Sequence, residues 1–293
     1  MLTQRLNELD TILENPQDFL TYEKKFENIL TDLFQFSDSA EYKKGMNKIR
    51  AKHKAISTNA TMQGRGYAKS YGYAGDFEVI DKIYTQHIND DENHRVWDEY
   101  FHRQTAPIAV RNRKDYFKAL MKQHKKVDSK TEVLNLASGP CRDLKEFYEE
   151  DASHSNFYFD CVELDINAIA YATTLVGDNI NKVNFINKNI FRFTPEKTYD
   201  IIWSAGLFDY FDDKIFIKIL KRLIDSNPNS KIVVGNFDAS NHNLPYMEII
   251  GEWYLNYRTP EQLRNLAIAA GANADTIKIE SESQGVNLFL HIN

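Results

Sequence analysis

Cysteine is almost missing from this chain, with two residues, Cys141 and Cys161, among 293. No Cys/His cluster with ligand spacing accompanies them, so no metal centre is expected and a disulfide framework is excluded. The reading is a reduced, cytoplasmic protein, with a single Cys141–Cys161 disulfide as the alternative. Long apolar runs are missing as well: none approaches the ~20 residues of a membrane-spanning helix. The opening "MLTQRLNELDTILENP" alternates polar and apolar residues, so neither a signal peptide nor an anchor is expected there. Basic residues are not in excess. Lys and Arg total 36 against 42 Asp and Glu, and the net charge of −6 argues against nucleic acid as the main partner, local patches such as Lys122 to Lys126 notwithstanding. Internal repeats and low-complexity tracts are absent too.

Aromatics are plentiful, at 16 Tyr and 18 Phe, and 42% of residues are hydrophobic, enough for one large core or two modest ones. Residues 1 to 125 read as a helical region. In "PQDFLTYEKKFENILTDLFQF", Phe19, Tyr22, Phe26, Leu30 and Leu33 recur at three- and four-residue steps and make one apolar stripe. "HRVWDEYFHRQ" and "VRNRKDYFKALMKQHKK" read as two further helices. Between these helices, "YAKSYGYAGDF" is loop-like, and a helical pattern resumes from Asp76. Residues 126 to 293 change texture. Short strand-like runs ("EVLNLA", "FYFDCVEL", "KVNFINK", "YDIIWSA", "KIVVGNF") alternate with helical segments, which indicates an α/β fold with a parallel sheet covered on both faces. Two last strands, "DTIKIES" and "GVNLFLHI", lie close enough together for an antiparallel hairpin.

The first of these strands runs into "ASGPCRDL". Ligands of open α/β sheets bind outside the carboxyl ends of the strands, at the switch point beside the first strand. A dinucleotide cradle would need several spaced glycines there, and only Gly139 is present. A P-loop would need a Lys, and Arg142-Asp143 follows instead. Glu163 ends the second strand 24 positions after Gly139 (163 − 139), near the spacing of a carboxylate that binds a ribose diol. A nucleoside without a phosphate cradle fits, and S-adenosylmethionine has that shape.

"VLNLASGPCRDL", "CVELDINAIAYA", "NKNIFRF" and "YDIIWSAGLFDYFDD", in this order, resemble the class I S-adenosylmethionine-dependent methyltransferases. "GYAGDFEVIDKIY", "AVRNRKDY", "SAGLFDYF" and "GNFDASNHNLPYMEIIGEWYLNYRT" resemble a bacterial subfamily that includes 3-hydroxy fatty acid methyl ester synthases. The resemblance implies a Rossmann-like seven-stranded sheet whose last strand is antiparallel, preceded by a helical region serving as lid and acceptor-pocket wall. It implies S-adenosylmethionine as cofactor, bound by Ala137, Ser138, Gly139, Glu163, Leu164, Asn189, Ile190, Ser204, Ala205 and Gly206. Two departures stand out. Asn135 occupies a position where the family often has an acid near the cofactor's amino group, and Asn189 one where an Asp commonly faces adenine.

The catalytic candidates are Asp209, Tyr210 and His242, as bases, and Arg111, which could orient a carboxylate. Tyr71, Tyr73, Arg113, Tyr254, Tyr257 and Arg258 are candidates for acceptor binding. Asp165 is expected to cap the helix that follows it. The function expected is O-methylation of a carboxyl or hydroxyl group of a small acyl or secondary metabolite. N-methylation and a non-catalytic cofactor-binding module are the alternatives. Residues 1 to 60 are a further candidate, for a homodimer surface.

Overall fold

The computed structural model describes residues 1–126 and 129–293. Its first helices are α1 (Leu2–Glu14), α2 (Phe19–Phe34), α3 (Ala40–Lys52), α4 (Met62–Ala68), α5 (Phe77–Tyr84), α6 (Glu92–Arg103) and α7 (Thr105–Gln123). There follow β1 (Thr131–Leu136), α8 (Arg142–Glu150), β2 (Phe157–Glu163), α9 (Ile166–Val176), β3 (Val183–Asn187), β4 (Ile201–Ser204), α10 (Asp213–Ser226) and β5 (Lys231–Phe237). The chain ends with α11 (Leu244–Ile249), α12 (Pro260–Ala269), β6 (Lys278–Ser281) and β7 (Asn287–Ile292). None of the helices is long and apolar enough to cross a membrane, among the described residues.

Two compact units result. One comprises Met1–Ile108 with His242–Tyr254, and the other Ala109–Asn241 with Leu255–Asn293. The division falls before the boundary read from sequence at 125, because most of α7 belongs to the second unit.

In the helical unit, polar caps start the elements. Ser39 accepts the Tyr42 N–H at 3.2 Å, and Asp76 accepts the Val79 N–H at 2.9 Å. Each satisfies a donor that the first helical turn leaves without a partner. The α2 stripe buries Phe19, Phe26, Leu30 and Leu33, and Ile29 joins them; Tyr22 departs from the expectation and stays exposed. Phe19 and Phe26 pack against Trp97 and Tyr100 with ring centroids 4.4 to 5.9 Å apart. The segment 242–254 joins this unit through specific bonds. The Tyr246 hydroxyl donates to Gln63 Oε1 at 2.8 Å, and its ring meets Tyr100 edge-on. Arg50 pairs with Glu252 at 2.7 Å and donates to the Ile249 carbonyl at 2.7 Å. A segment far along the sequence is thereby bound to the first helices.

The second unit is built on one seven-stranded sheet of order β3-β2-β1-β4-β5-β7-β6. β1 to β5 run parallel, and β7 pairs antiparallel with both β5 and β6. The expected hairpin and inserted last strand are both present. Both faces are covered, which is why these strands read as continuous apolar runs. One face buries Leu134, Leu136, Ile202 and Val234 beneath α10 and α12. The other buries Val133, Phe159, Trp203 and Phe289 with Phe117 of α7 and Phe147 of α8. Strand order reverses between β1 and β4, so the crevice at their carboxyl ends is where such a sheet receives a ligand.

Candidate active site

β1 leaves the sheet through a turn whose backbone is left-handed at three alternating residues, Ala137 (φ 52°), Gly139 (φ 56°) and Cys141 (φ 54°). For Ala137 and Cys141 that conformation costs about 1–2 kcal/mol each, and strain of this kind concentrates where a ligand is held. Gly139 has a further role: a Cβ built on it meets nothing within 4 Å, so the space over the turn is open and glycine leaves the backbone bare toward it.

The turn is tied to β2. The Ala137 N–H donates to the Val162 carbonyl at 2.8 Å, and the Gly139 N–H donates to Glu163 Oε2 at 3.0 Å. Glu163 Oε1 accepts the N–H groups of Leu164 (2.7 Å) and Asp165 (3.0 Å). A carboxylate offers about four lone-pair sites. Three backbone donors fill three of them, and one on Oε2 remains for a hydroxyl. In the segments that follow β2 and β3, Leu164 and Ile166 are each 61% exposed, and Phe191 is 49% exposed.

At the end of β1 and in the turn, two buried polar atoms have no partner among the described residues, Asn135 Nδ2 and Ser138 Oγ. Such atoms are rare in folded proteins, and each is a place where a bound polar group would find a partner. Cys141, at the N-cap of α8, contributes no capping bond. Cys141 and Cys161 are both free and buried.

The other expected cofactor residues are arranged as follows. The Ser204 hydroxyl donates to the Leu136 carbonyl at 3.1 Å and locks the end of β4 to the end of β1, while Ala205 and Gly206 are half-buried beyond it. Asn189 Oδ1 accepts the Phe191 N–H at 2.9 Å and starts a short 3-10 turn, with Ile190 half-buried next to it. Asp165 caps α9 by accepting the Asn167 N–H at 2.8 Å, as expected.

α7 brings Arg113 to the same end of the sheet. Its Nη1 lies 2.8 Å from where a Cβ of Gly206 would be, so the glycine makes room for the guanidinium. Two buried carboxylates feel this cation, Asp143 from the first turn of α8 and Asp209 from the turn after β4. Burial pushes both carboxyls up, to about 6. For Asp143 the Leu144 N–H opposes the shift ahead of Arg113; for Asp209, Arg113, the residue's own backbone N–H and Arg258 oppose it in that order. Asp143 was not legible as a site residue, since an acid in a first helical turn ordinarily does no more than complement the helix dipole. Arg111 is half-buried, and burial lowers its pKa. Tyr210 is exposed and Tyr257 half-buried.

Arg258 departs from its expected role. It is buried, and its N–H groups go to Asp213 Oδ1 (3.0 and 2.9 Å), Asn236 Oδ1 (2.8 Å) and the carbonyls of Phe211 (2.6 Å) and Phe208 (3.3 Å). A guanidinium so engaged braces the β4 and β5 turns and has no fork left for an acceptor. The remaining candidates, Tyr71, Tyr73, His242 and Tyr254, belong to the helical unit. Tyr71 is exposed against Phe77 at 4.6 Å, Tyr73 is half-buried, and His242 and Tyr254 are exposed. Among the described residues, no group of three His, Cys, Asp or Glu side chains could hold a metal ion.

No family model and no curated protein matches the chain. Solved structures do. A protein from Bordetella parapertussis described as a possible exported protein is similar over 100% of this chain and 96% of its own, with a TM-score of 0.65 and 15% identity. Magnesium protoporphyrin IX methyltransferase (ChlM) from Synechocystis PCC 6803, solved with bound SAH, is similar over 78% of this chain and 96% of its own (TM-score 0.53, 11% identity). The S-adenosylmethionine-dependent methyltransferase SibL, solved in its apo form, is similar over 94% of this chain and 76% of its own (TM-score 0.54, 11% identity). The fold is the one these methyltransferases share.

Replacing Arg258 separates brace from acceptor ligand. Arg258→Lys keeps the charge but cannot fork, and it leaves buried acceptors unpaired. We expect unfolding free energy in urea to fall by about 2–4 kcal/mol. Unchanged stability would return Arg258 to the acceptor-binding set.

Proposed function

We propose that the protein is an S-adenosylmethionine-dependent methyltransferase that modifies a carboxyl or hydroxyl group of a small acyl or secondary metabolite. The observation that carries this reading is the Glu163 carboxylate, held by three backbone N–H groups with one acceptor site left over, at the switch point of a methyltransferase-type sheet.

The residues present fit the cofactor. Glu163 Oε2 can accept a ribose hydroxyl, and Leu164 and Ile190 can flank adenine. Ser138 Oγ and Asn135 Nδ2, without partners among the described residues, can bond a polar ligand. Asn135, in place of an acid, offers an amide rather than a negative charge, and Asp143 in the first turn of α8 keeps an acidic group nearby in sequence. When bound, this cofactor supplies a methyl group already activated on a sulfonium. The protein's part is therefore to align the acceptor and exclude water. A carboxylate acceptor is ionised at neutral pH and needs orientation only, for which Arg111 and Arg113 are the candidates. A hydroxyl needs a base within reach, and Asp209, Tyr210 and His242 are the candidates.

We assign selection of the acceptor to the helical unit, with "YAKSYGYAGDF" as a lid. Reduced, buried Cys141 and Cys161 suit a cytoplasmic enzyme. An acidic net charge with no basic stripe favours a small molecule over nucleic acid.

Incubation with methyl-labelled cofactor and a panel of hydroxy acids, phenols, amines and RNA tests the reading. We expect label in a small oxygen acceptor; label confined to RNA or protein would reject it. With any acceptor so found, Tyr71→Ala should raise KM for the acceptor about tenfold, the loss of one aromatic contact, with the cofactor dissociation constant unmoved. An unaltered KM would remove the lid role.

A further inference from the structure

The turn after β4 holds a carboxylate oxygen that no group among the described residues uses. Asp209 is 2% exposed, and its Oδ1 is buried and accepts no hydrogen bond. The residue is not loose. Its backbone carbonyl accepts the Asn256 N–H at 2.6 Å and Asn256 Nδ2 at 3.3 Å, which fixes the turn. Folding normally pairs a buried carboxylate with donors. An oxygen held in place without one is poised for a donor that arrives from outside.

The surrounding charges say what kind of donor. Arg113 of α7 and Arg258 after β5 are the charged groups that reach Asp209. Arg258 has spent its N–H groups on Asp213, Asn236 and backbone carbonyls. Arg113, beside Gly206, also stands within the field of Asp143, which is buried too. Two arginines, Arg113 and the Arg258 already paired with Asp213, thus face three carboxylates, Asp143, Asp209 and Asp213. A further carboxylate brought to this place would meet net negative charge in a poorly solvated setting, where like charges cost most. A hydroxyl would instead give Asp209 Oδ1 the hydrogen bond it lacks.

Resting on the methyltransferase reading, we propose that Asp209 is the general base and that the acceptor is a hydroxyl group rather than a carboxylate. Asp209 takes the hydroxyl proton as the acceptor oxygen forms its bond to the methyl carbon. The methyl–sulfur bond breaks with its electron pair left on sulfur, discharging the sulfonium. The proton then passes from Asp209 to solvent, so the turnover releases one proton per methyl transferred. Burial raises the Asp209 carboxyl to about 6, with Arg113, the residue's own backbone N–H and Arg258 holding it from rising further. A base in that range is ionised at neutral pH, yet basic enough to share a proton in the transition state.

The test uses the full chain with methyl-labelled cofactor and matched acceptors: 3-hydroxydecanoic acid, its methyl ester (hydroxyl only) and decanoic acid (carboxyl only), together with a phenol panel. We expect label in compounds that keep a hydroxyl and none in decanoic acid. Turnover should fall about tenfold per pH unit below the Asp209 midpoint. Asp209→Asn should lower kcat by about 10²- to 10⁴-fold, with the dissociation constant for S-adenosylhomocysteine within twofold of the parent by calorimetry, and Asp209→Glu should recover part of the loss. In protein carrying 13C-carboxyl aspartate, the resonance missing from Asp209→Asn should titrate near pH 6. Label in decanoic acid, full kcat in Asp209→Asn, or a resonance titrating near pH 4 would each overturn the proposal while leaving the methyltransferase reading standing. Label in no compound, with no binding of S-adenosylhomocysteine, would remove that reading and this one with it.

Discussion

A carboxylate gripping three backbone N–H groups underlies the arrangement at the head of this sheet. The bonds from Leu164 and Asp165 orient Glu163 at the end of its own strand, and the bond from Gly139 fastens the neighbouring turn to it. Hydrogen bonds to a charged group contribute about 1.5–3 kcal/mol each. The Gly139 bond to Glu163 at that value and the Ala137 bond to the neutral Val162 carbonyl at about 0.5–1.5 kcal/mol are together of the size needed to offset left-handed backbone at Ala137 and Cys141. The strained turn keeps its shape because Glu163 is there, and the space over Gly139 is open because the turn keeps its shape. On the proposed reading, the carboxylate that would receive the ribose is also the one that holds the turn beside it.

A second constraint lies behind the turn. Arg113 comes from α7, Asp143 from α8 and Asp209 from the segment after β4, so one buried cation and two buried acids connect three elements of the same unit. Burial alone would drive both acids toward neutrality, and the arginine limits that drift. Arg258 performs a neighbouring task by satisfying the carbonyls of the β4 turn. The acids are kept within reach of ionisation at neutral pH, and the turn carrying Asp209 is kept still.

The sheet was legible because burial on both faces imposes continuous apolar runs, and "VLNLA", "CVEL" and "IIWSA" show them without ambiguity. The turn at Gly139 and its partner Glu163 were legible as a pair because the ends of the first two strands of such a sheet border its ligand crevice, and the folded chain joins them by the Gly139 N–H to Glu163 bond. Arg258 misled: an arginine after a strand looks like an anion receptor, and only the folded chain shows its N–H groups already committed. Asp143 hid for the opposite reason, as its place in a first helical turn is ordinary until Arg113 is brought in by a helix that precedes it by some thirty positions in sequence. The association of 242–254 with the first helices was invisible locally, because it rests on pairs such as Arg50–Glu252 separated by two hundred residues.

Whether Glu163 serves the adenosyl group is measured most directly by calorimetric titration with S-adenosylhomocysteine. Run on the parent chain and on Glu163→Ala, with thermal unfolding confirming that both are folded, it should show one site whose dissociation constant rises about ten- to a hundredfold in the variant, the loss expected of a bond to a charged group. Equal affinity in the two proteins, or no heat of binding in the parent, would contradict that role for Glu163.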